Sequence, residues 1–142
     1  MKTVRQMLHA KSRPVFSVVP SASVYDALTL MAQHDIGALV VLEGDNLVGL
    51  FSERDYARKV ILHGKSSREM SVAAIMTAPL MYVGLDDTVR DCMALMTDKH
   101  IRHLPVVDAA AVVGMVSIGD VVKAMLDEQA FLIEQLEHYI TA

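Results

Sequence analysis

Residues 18–61 of this chain return as residues 83–126 at a constant offset of 65, without a gap. Gly49-Leu50-Phe51-Ser52-Glu53-Arg54-Asp55 reappears as Gly114-Met115-Val116-Ser117-Ile118-Gly119-Asp120. Twelve aligned pairs are identical: Val18/Val83, Val24/Val89, Asp26/Asp91, Leu30/Leu95, Met31/Met96, Ile36/Ile101, Leu39/Leu104, Val41/Val106, Val48/Val113, Gly49/Gly114, Ser52/Ser117 and Asp55/Asp120. Such a duplication constrains the fold more than any single motif. Two half-domains with matching apolar faces can bury those faces against each other. The pseudo-symmetric pair then carries two related clefts along its join.

The spacing predicts the same elements in each repeat. Val24, Ala27, Leu28 and Met31 follow i, i+3, i+4, i+7, and Val89, Cys92, Met93 and Met96 copy them. Ser23 with Asp26, and Thr88 with Asp91, mark the helix starts and make those aspartates capping residues rather than acid–base groups. Short apolar runs follow at 38–42 and 47–51, and again at 104–107 and 112–116. Gly44-Asp45-Asn46 fits a tight turn between the first pair. Asp108-Ala109-Ala110-Ala111 lacks Gly and Asn, which predicts a turn kept at negative φ. A second helix is expected over 56–62 and from Val121 onward. A short strand is expected before each repeat, at 15–18 and 80–83, where Arg13-Pro14 and Ala78-Pro79 turn the chain away from helix.

The predicted fold class is therefore α/β (α+β), two β-α-β-β-α repeats packed with pseudo-two-fold symmetry plus a C-terminal helical extension. The first repeat and its polar linker (64–71) occupy 1–71, the second repeat 72–127 and the extension 128–142. Repeat one also carries three extra residues before its first strand, Lys11-Ser12-Arg13. Lys11 and Arg13 can reach a phosphate from there; the equal alternative is a mobile, solvated loop. In the extension Val122, Met125, Gln129, Leu132, Leu136 and Tyr139 step by three and four, as a helix–helix seam does. That seam is expected to dock on a second copy.

Composition narrows the function classes. With 142 residues and 53% hydrophobic content the chain can build one sizeable core. A mean hydropathy of +0.35 leaves apolar surface for a partner subunit. A net charge of −4 argues against nucleic acid. Arg54, Arg58, Lys59, Lys65 and Arg68 form a small basic cluster, read as a solvated helix side and loop. The one cysteine, Cys92, falls in an apolar helical slot and is expected to be a buried, inert thiol. No apolar run approaches the roughly 18 residues of a membrane span, and nothing resembles a secretory signal, so a cytoplasmic protein is expected. His100 and His103 lack the H-E-x-x-H context, so no metal site is expected.

The chemistry concentrates in the Gly-Φ-Φ-Ser-x-x-Asp motif, where Φ is apolar and a strand gives way to a helix. The glycine admits a close approach. The serine hydroxyl can donate or accept. The first helical amides are open to an anion such as phosphate. The aspartate can accept both hydroxyls of a ribose diol. The competing reading is that Asp55 and Asp120 only cap their helices. Two copies in one register favour ligand binding at one or both.

These residues resemble a tandem pair of CBS domains, the cystathionine β-synthase domain repeat or Bateman module. The markers are Ser52-Glu53-Arg54-Asp55, Ile75-Met76-Thr77, His103-Leu104-Pro105-Val106-Val107-Asp108 and Gly114-Met115-Val116-Ser117-Ile118-Gly119-Asp120. The likeness runs from about Val4 to about Asp127. It implies dimers of the pair and binding of adenosyl compounds such as AMP, ATP, NAD(H) or S-adenosylmethionine, with no obligatory cofactor. It also implies that Asp55 and Asp120 hold ribose, with Ser52, Ser117 and Thr77 adjoining. Gly37-Ala38 and Arg102-His103 occupy equivalent positions that border the nucleotide in this family. The first pair suits backbone contact, the second suits phosphate; the competing reading is a surface salt bridge for Arg102 and a satisfied, partly buried imidazole for His103. Arg54 and Arg58 mark the first repeat's helix start. Gly119 replaces Arg54, and Lys123, beside Val122, aligns with Arg58.

The expected function is regulatory sensing of an adenine nucleotide without catalysis, acting on an unidentified protein. Two alternatives stand beside it: an enzyme that transforms the nucleotide, and a ligand-free dimerisation scaffold. No activated nucleophile and no carboxylate pair suited to Mg²⁺ at phosphates supports the first.

Overall fold

The sequence periods resolve into helices and short strands that alternate along the chain. The computed structural model describes residues 1–11, 14–78 and 81–141. In order the elements are α1 (Val4–Lys11), β1 (Ser17–Val18), α2 (Val24–His34), β2 (Ala38–Glu43), β3 (Asn46–Ser52), α3 (Glu53–Lys59), α4 (Val72–Ile75), α5 (Val89–Lys99), β4 (His103–Asp108), β5 (Ala111–Ser117) and α6 (Ile118–Thr141). A 3-10 turn at Ile61–His63 follows α3, so the helix expected over 56–62 begins three residues earlier and ends in a tighter turn. Arg13, and the start of the strand expected over 80–83, lie outside the described residues.

The helix starts obey their capping signals. Ser23 Oγ accepts the Asp26 amide at 3.0 Å. Thr88 Oγ1 accepts the Asp91 amide at 3.2 Å, and the Asp91 carboxylate accepts the Thr88 amide at 2.9 Å. These bonds satisfy donors that a helix start leaves open, and they hold the Asp91 carboxyl below its usual range. Both helices end on a left-handed residue, Asp35 (φ 51°) and His100 (φ 54°). The next amides, Ile36 and Ile101, then reach back to Met31 O at 3.0 Å and Met96 O at 3.1 Å.

The strands pair as the alternation requires. β1 lies parallel to β2, Val18 opposite Val41, and β2 lies antiparallel to β3, with Ala38 opposite Ser52. β4 and β5 form the second hairpin. Val83 joins β4 through one parallel bridge to Val106. The β4–β5 turn departs from expectation: Ala109 (φ 48°) and Ala110 (φ 65°) are both left-handed. Strand twist imposes this on a two-residue connection, whatever residues occupy it. In the first hairpin Gly44 takes the positive φ, 63°.

Contacts divide the chain into two compact units that interleave along the sequence. One holds α1, α5, β4, most of β5 and α6. The other holds β1, α2, β2, β3, α3 and α4. Each repeat's body thus takes the short helix that precedes the other repeat. The hydrogen bonds match. In one unit Val72 N donates to Ala22 O at 2.8 Å, Ala73 N to Pro20 O at 2.9 Å and Val24 N to Met70 O at 2.9 Å. In the other Val4 N donates to Asp87 O at 2.8 Å, Arg5 N to Leu85 O at 3.0 Å and Val89 N to Lys2 O at 3.0 Å. The linker is therefore fastened rather than free: Ser67 O also accepts Tyr25 N at 2.8 Å.

Each unit has its own core. Val72 and Ile75 of α4 pack with Val24, Ala27, Met31, Leu39, Val41, Phe51 and Val60. Val4 and Met7 of α1 pack with Val89, Cys92, Met96, Leu104, Val106, Val116, Val121 and Ala124. Cys92 is fully buried, and burial pushes its thiol up to about 11. That agrees with an inert structural thiol.

Candidate functional site

In the first repeat, β3 runs into α3 through Ser52. Its hydroxyl accepts the Asp55 amide at 3.2 Å, and Asp55 Oδ2 accepts the Ser52 amide at 3.0 Å. Ser52 Oγ lies 3.0 Å from the same oxygen. Asp55 Oδ1 accepts Thr77 Oγ1 at 3.0 Å and faces Lys59 Nζ at 3.1 Å. The carboxylate is thus engaged on both oxygens, and the residue is only 8% exposed. Thr77 is held beside it by a two-way backbone pair with Leu50: Leu50 N to Thr77 O at 3.1 Å and Thr77 N to Leu50 O at 2.8 Å. Gly37 and Ala38 adjoin the same corner. Gly37 O accepts Glu53 N at 3.1 Å, and Ala38 stands opposite Ser52 in the sheet.

In the second repeat, Ser117 Oγ accepts the Asp120 amide at 3.2 Å, and Asp120 Oδ2 accepts the Ser117 amide at 2.9 Å. The cation comes from elsewhere. Lys11, the last residue of α1, donates to Asp120 Oδ2 at 2.8 Å and to Met115 O at 3.0 Å. Met115 aligns with Leu50, so one ammonium covers both the carbonyl and the carboxylate that Thr77 serves in the first repeat. Asp120 Oδ1 has no partner among the described residues. Burial raises the Asp120 pKa, but the Lys11 and Ser117 bonds outweigh it and hold the carboxyl below its usual range. Arg102 O accepts Ile118 N at 2.9 Å, which sets Arg102-His103 against this corner as Gly37-Ala38 is set against the other. Burial, with Lys11 and Arg102 adding to it against the opposing pull of Asp120, lowers the His103 pKa.

The fold therefore gathers Gly37, Ala38, Ser52, Asp55 and Thr77 at one corner, and Arg102, His103, Ser117 and Asp120 at the other. Arg54 and Arg58 are exposed on α3 and make no ion pair among the described residues; Gly119 is exposed on the first turn of α6. Three expectations change. The glycines do admit a close neighbour, but it is the chain itself: a Cβ on Gly49 would lie 2.3 Å from Met76 Sδ, and one on Gly114 2.6 Å from Leu8 Cδ1. The helix starts are not open rows of donors either, because in each the first amide bonds a carbonyl and the third the serine. Arg54 N and Gly119 N remain. Nor is the basic cluster wholly solvated. Lys59 is paired with Asp55 and donates to Ile75 O at 3.0 Å, and Arg68 stacks over the Tyr25 ring at 4.3 Å. The spacing of Asp55 and Lys59, four apart on a helix, is the signal that points to that pair. Nothing local points to Lys11 and Asp120. Among the described residues no helix is long and apolar enough to cross a membrane.

The CBS domain family model matches residues 4–62 and 72–127. The chain is 46% identical over 123 residues to the CBS domain-containing protein CBSX3, mitochondrial, of Arabidopsis thaliana, covering 83% of this chain and 60% of the plant protein. A candidate signal-transduction protein with CBS domains from Burkholderia ambifaria MC40-6 is 46% identical, with a TM-score of 0.86 over 90% of this chain and 96% of that one. The hexameric CBS-CP12 protein of bloom-forming cyanobacteria has a TM-score of 0.74 at 26% identity, covering 84% of this chain and 70% of that one. This chain belongs to the CBS domain family, as a tandem pair of CBS domains.

Proposed function

We propose that the chain is a regulatory module that binds an adenine nucleotide, of the AMP, ATP or NAD(H) kind, at the strand-to-helix corner of each repeat. It acts without catalysis and in the cytoplasm, on a separate regulated protein. The observation that carries this reading is Asp120. Its carboxylate is held ionised by a lysine, keeps one oxygen without a partner among the described residues and stands beside Arg102 and His103. A ribose diol fits the carboxylate, and a phosphate fits the Arg102 guanidinium with the His103 imidazole as a neutral donor beside it. Asp55 repeats the arrangement with Ser52 and Thr77, but its side chain is 10% exposed against 26% for Asp120. The second repeat is therefore the readier site. Denaturing the purified chain and identifying released small molecules by mass spectrometry tests this. Adenosyl compounds are the expected release. Their absence, together with no binding of added AMP, ATP or NADH, contradicts it.

We infer in addition that α6 is the self-association element of a homodimer. Met125 packs into the core of its own unit, so the apolar seam starts later than its spacing implies. Beyond it Leu126, Phe131, Leu132, Ile133, Leu136, Tyr139 and Ile140 are each at least 57% exposed. An apolar stripe of this kind suits a two-fold interface, to which each partner typically contributes roughly 800 Å². A groove of about 540 Å³ where α1 meets α6, lined by Met1, Lys2, Gln6, Asp127, Glu128, Phe131 and Leu132, adjoins this face. A two-fold pair presents this face twice and covers it. Truncation after Asp127, followed by light scattering over a concentration series, is expected to yield monomers. A truncated chain that dimerises as tightly as the parent contradicts this assignment.

A further inference from the structure

Lys11 spends its ammonium entirely on the second-repeat corner, bonding Asp120 Oδ2 at 2.8 Å and Met115 O at 3.0 Å. The two side chains are 24% and 26% exposed, so the pair is sheltered yet within reach of a ligand. The first repeat is built differently. There the carbonyl of Leu50 is served by the Thr77 backbone, and the cation, Lys59, belongs to the same helix as its aspartate. A backbone pair opens only if the strand moves. A lysine on a four-carbon stem opens by rotation about its own bonds.

We propose that Lys11 is a ligand-displaced clamp that makes the second repeat select phosphorylated adenosyl compounds over neutral ones. The proposal rests on the nucleotide reading above. A ribose diol seated bidentately donates one hydrogen bond to each carboxylate oxygen. Asp120 Oδ1 has no partner among the described residues, but Oδ2 already accepts Ser117 N at 2.9 Å and Lys11 at 2.8 Å. Seating the diol therefore moves Lys11 off. The displaced ammonium needs another anion, and its neighbours Arg102 and His103 supply none. A ligand phosphate supplies it, exchanging one charge-assisted bond for another. A neutral nucleoside breaks the pair and returns nothing.

The test is calorimetry on the full chain with AMP and with adenosine, reading the site that Asp120→Asn removes. Wild type is expected to favour AMP by about tenfold or more, the scale of one hydrogen bond to a charged group. In Lys11→Met adenosine binds more tightly and AMP more weakly, so the preference narrows to what Arg102 and His103 supply. Lys11→Arg retains it. Lys11→Gln, which keeps a neutral donor for Met115 O, replaces Lys11→Met if the latter fails to fold. Equal changes for both ligands in these variants, or no preference in wild type, overturn the clamp alone. A wild type that binds neither ligand overturns the nucleotide reading and the clamp with it.

Discussion

At the scale of single residues, the molecule holds strain and close packing at positions whose types do not announce it. Ala109 and Ala110 adopt the left-handed conformation that L side chains resist. Ala109→Gly or Ala110→Gly is therefore expected to stabilise the chain by about 0.5–1 kcal/mol in urea unfolding, with the m-value unchanged. A loss of stability contradicts the turn geometry. Gly49 carries the opposite expectation. Its missing Cβ makes room for Met76, so Gly49→Ala costs about 1–3 kcal/mol by overpacking. Free accommodation of that methyl, with no fall in the melting temperature, contradicts it. The close approach at Gly49 is legible in the sequence; which atoms approach is not, because Met76 and Leu8 come from the helix that precedes the other repeat. The turn is misread for a related reason. Residue preference speaks for negative φ at Ala109-Ala110, and the hairpin's twist overrides it.

At the scale of elements, what the sequence reveals is what the backbone closes locally. The Thr88–Asp91 and Ser52–Asp55 caps span three residues and are readable from spacing. Lys11–Asp120 joins elements at opposite ends of the chain and is not. The buried imidazole beside that long-range pair has a measurable pH signature. The His103 pKa is lowered by burial first, then by Lys11 and Arg102, so the folded state favours neutral imidazole. Its stabilising effect is complete above the ordinary value of about 6.5 and is lost as pH falls through and below that value. The melting temperature is expected to drop between about pH 7.5 and pH 5.5, and His103→Gln to flatten that segment. A melting curve equally steep with and without His103 contradicts the assignment. Asp120 acts lower. Its lowered pKa gives stability that is present above about pH 4 and lost as pH falls through the folded value.

At the scale of the whole molecule, the duplication writes one corner twice and the intervening segments complete it differently. Beyond the capping serines, Thr77 and Lys59 close around Asp55, whereas among the described residues Lys11 is what bonds the Asp120 carboxylate. The repeat, its element order and the two serine–aspartate corners are legible because they lie in the aligned register. The difference between the corners is not, because Thr77 and Lys11 lie outside it. The central claim is that each aspartate serves one nucleotide, and titration calorimetry with AMP on Asp55→Asn and Asp120→Asn tests it most directly. With folding of both variants verified by thermal melting, the account predicts that each loses one binding event, weakened by about 1.5–3 kcal/mol, and keeps the other. Two folded variants that both retain the wild-type stoichiometry and affinity would leave the carboxylates as helix caps and contradict the account.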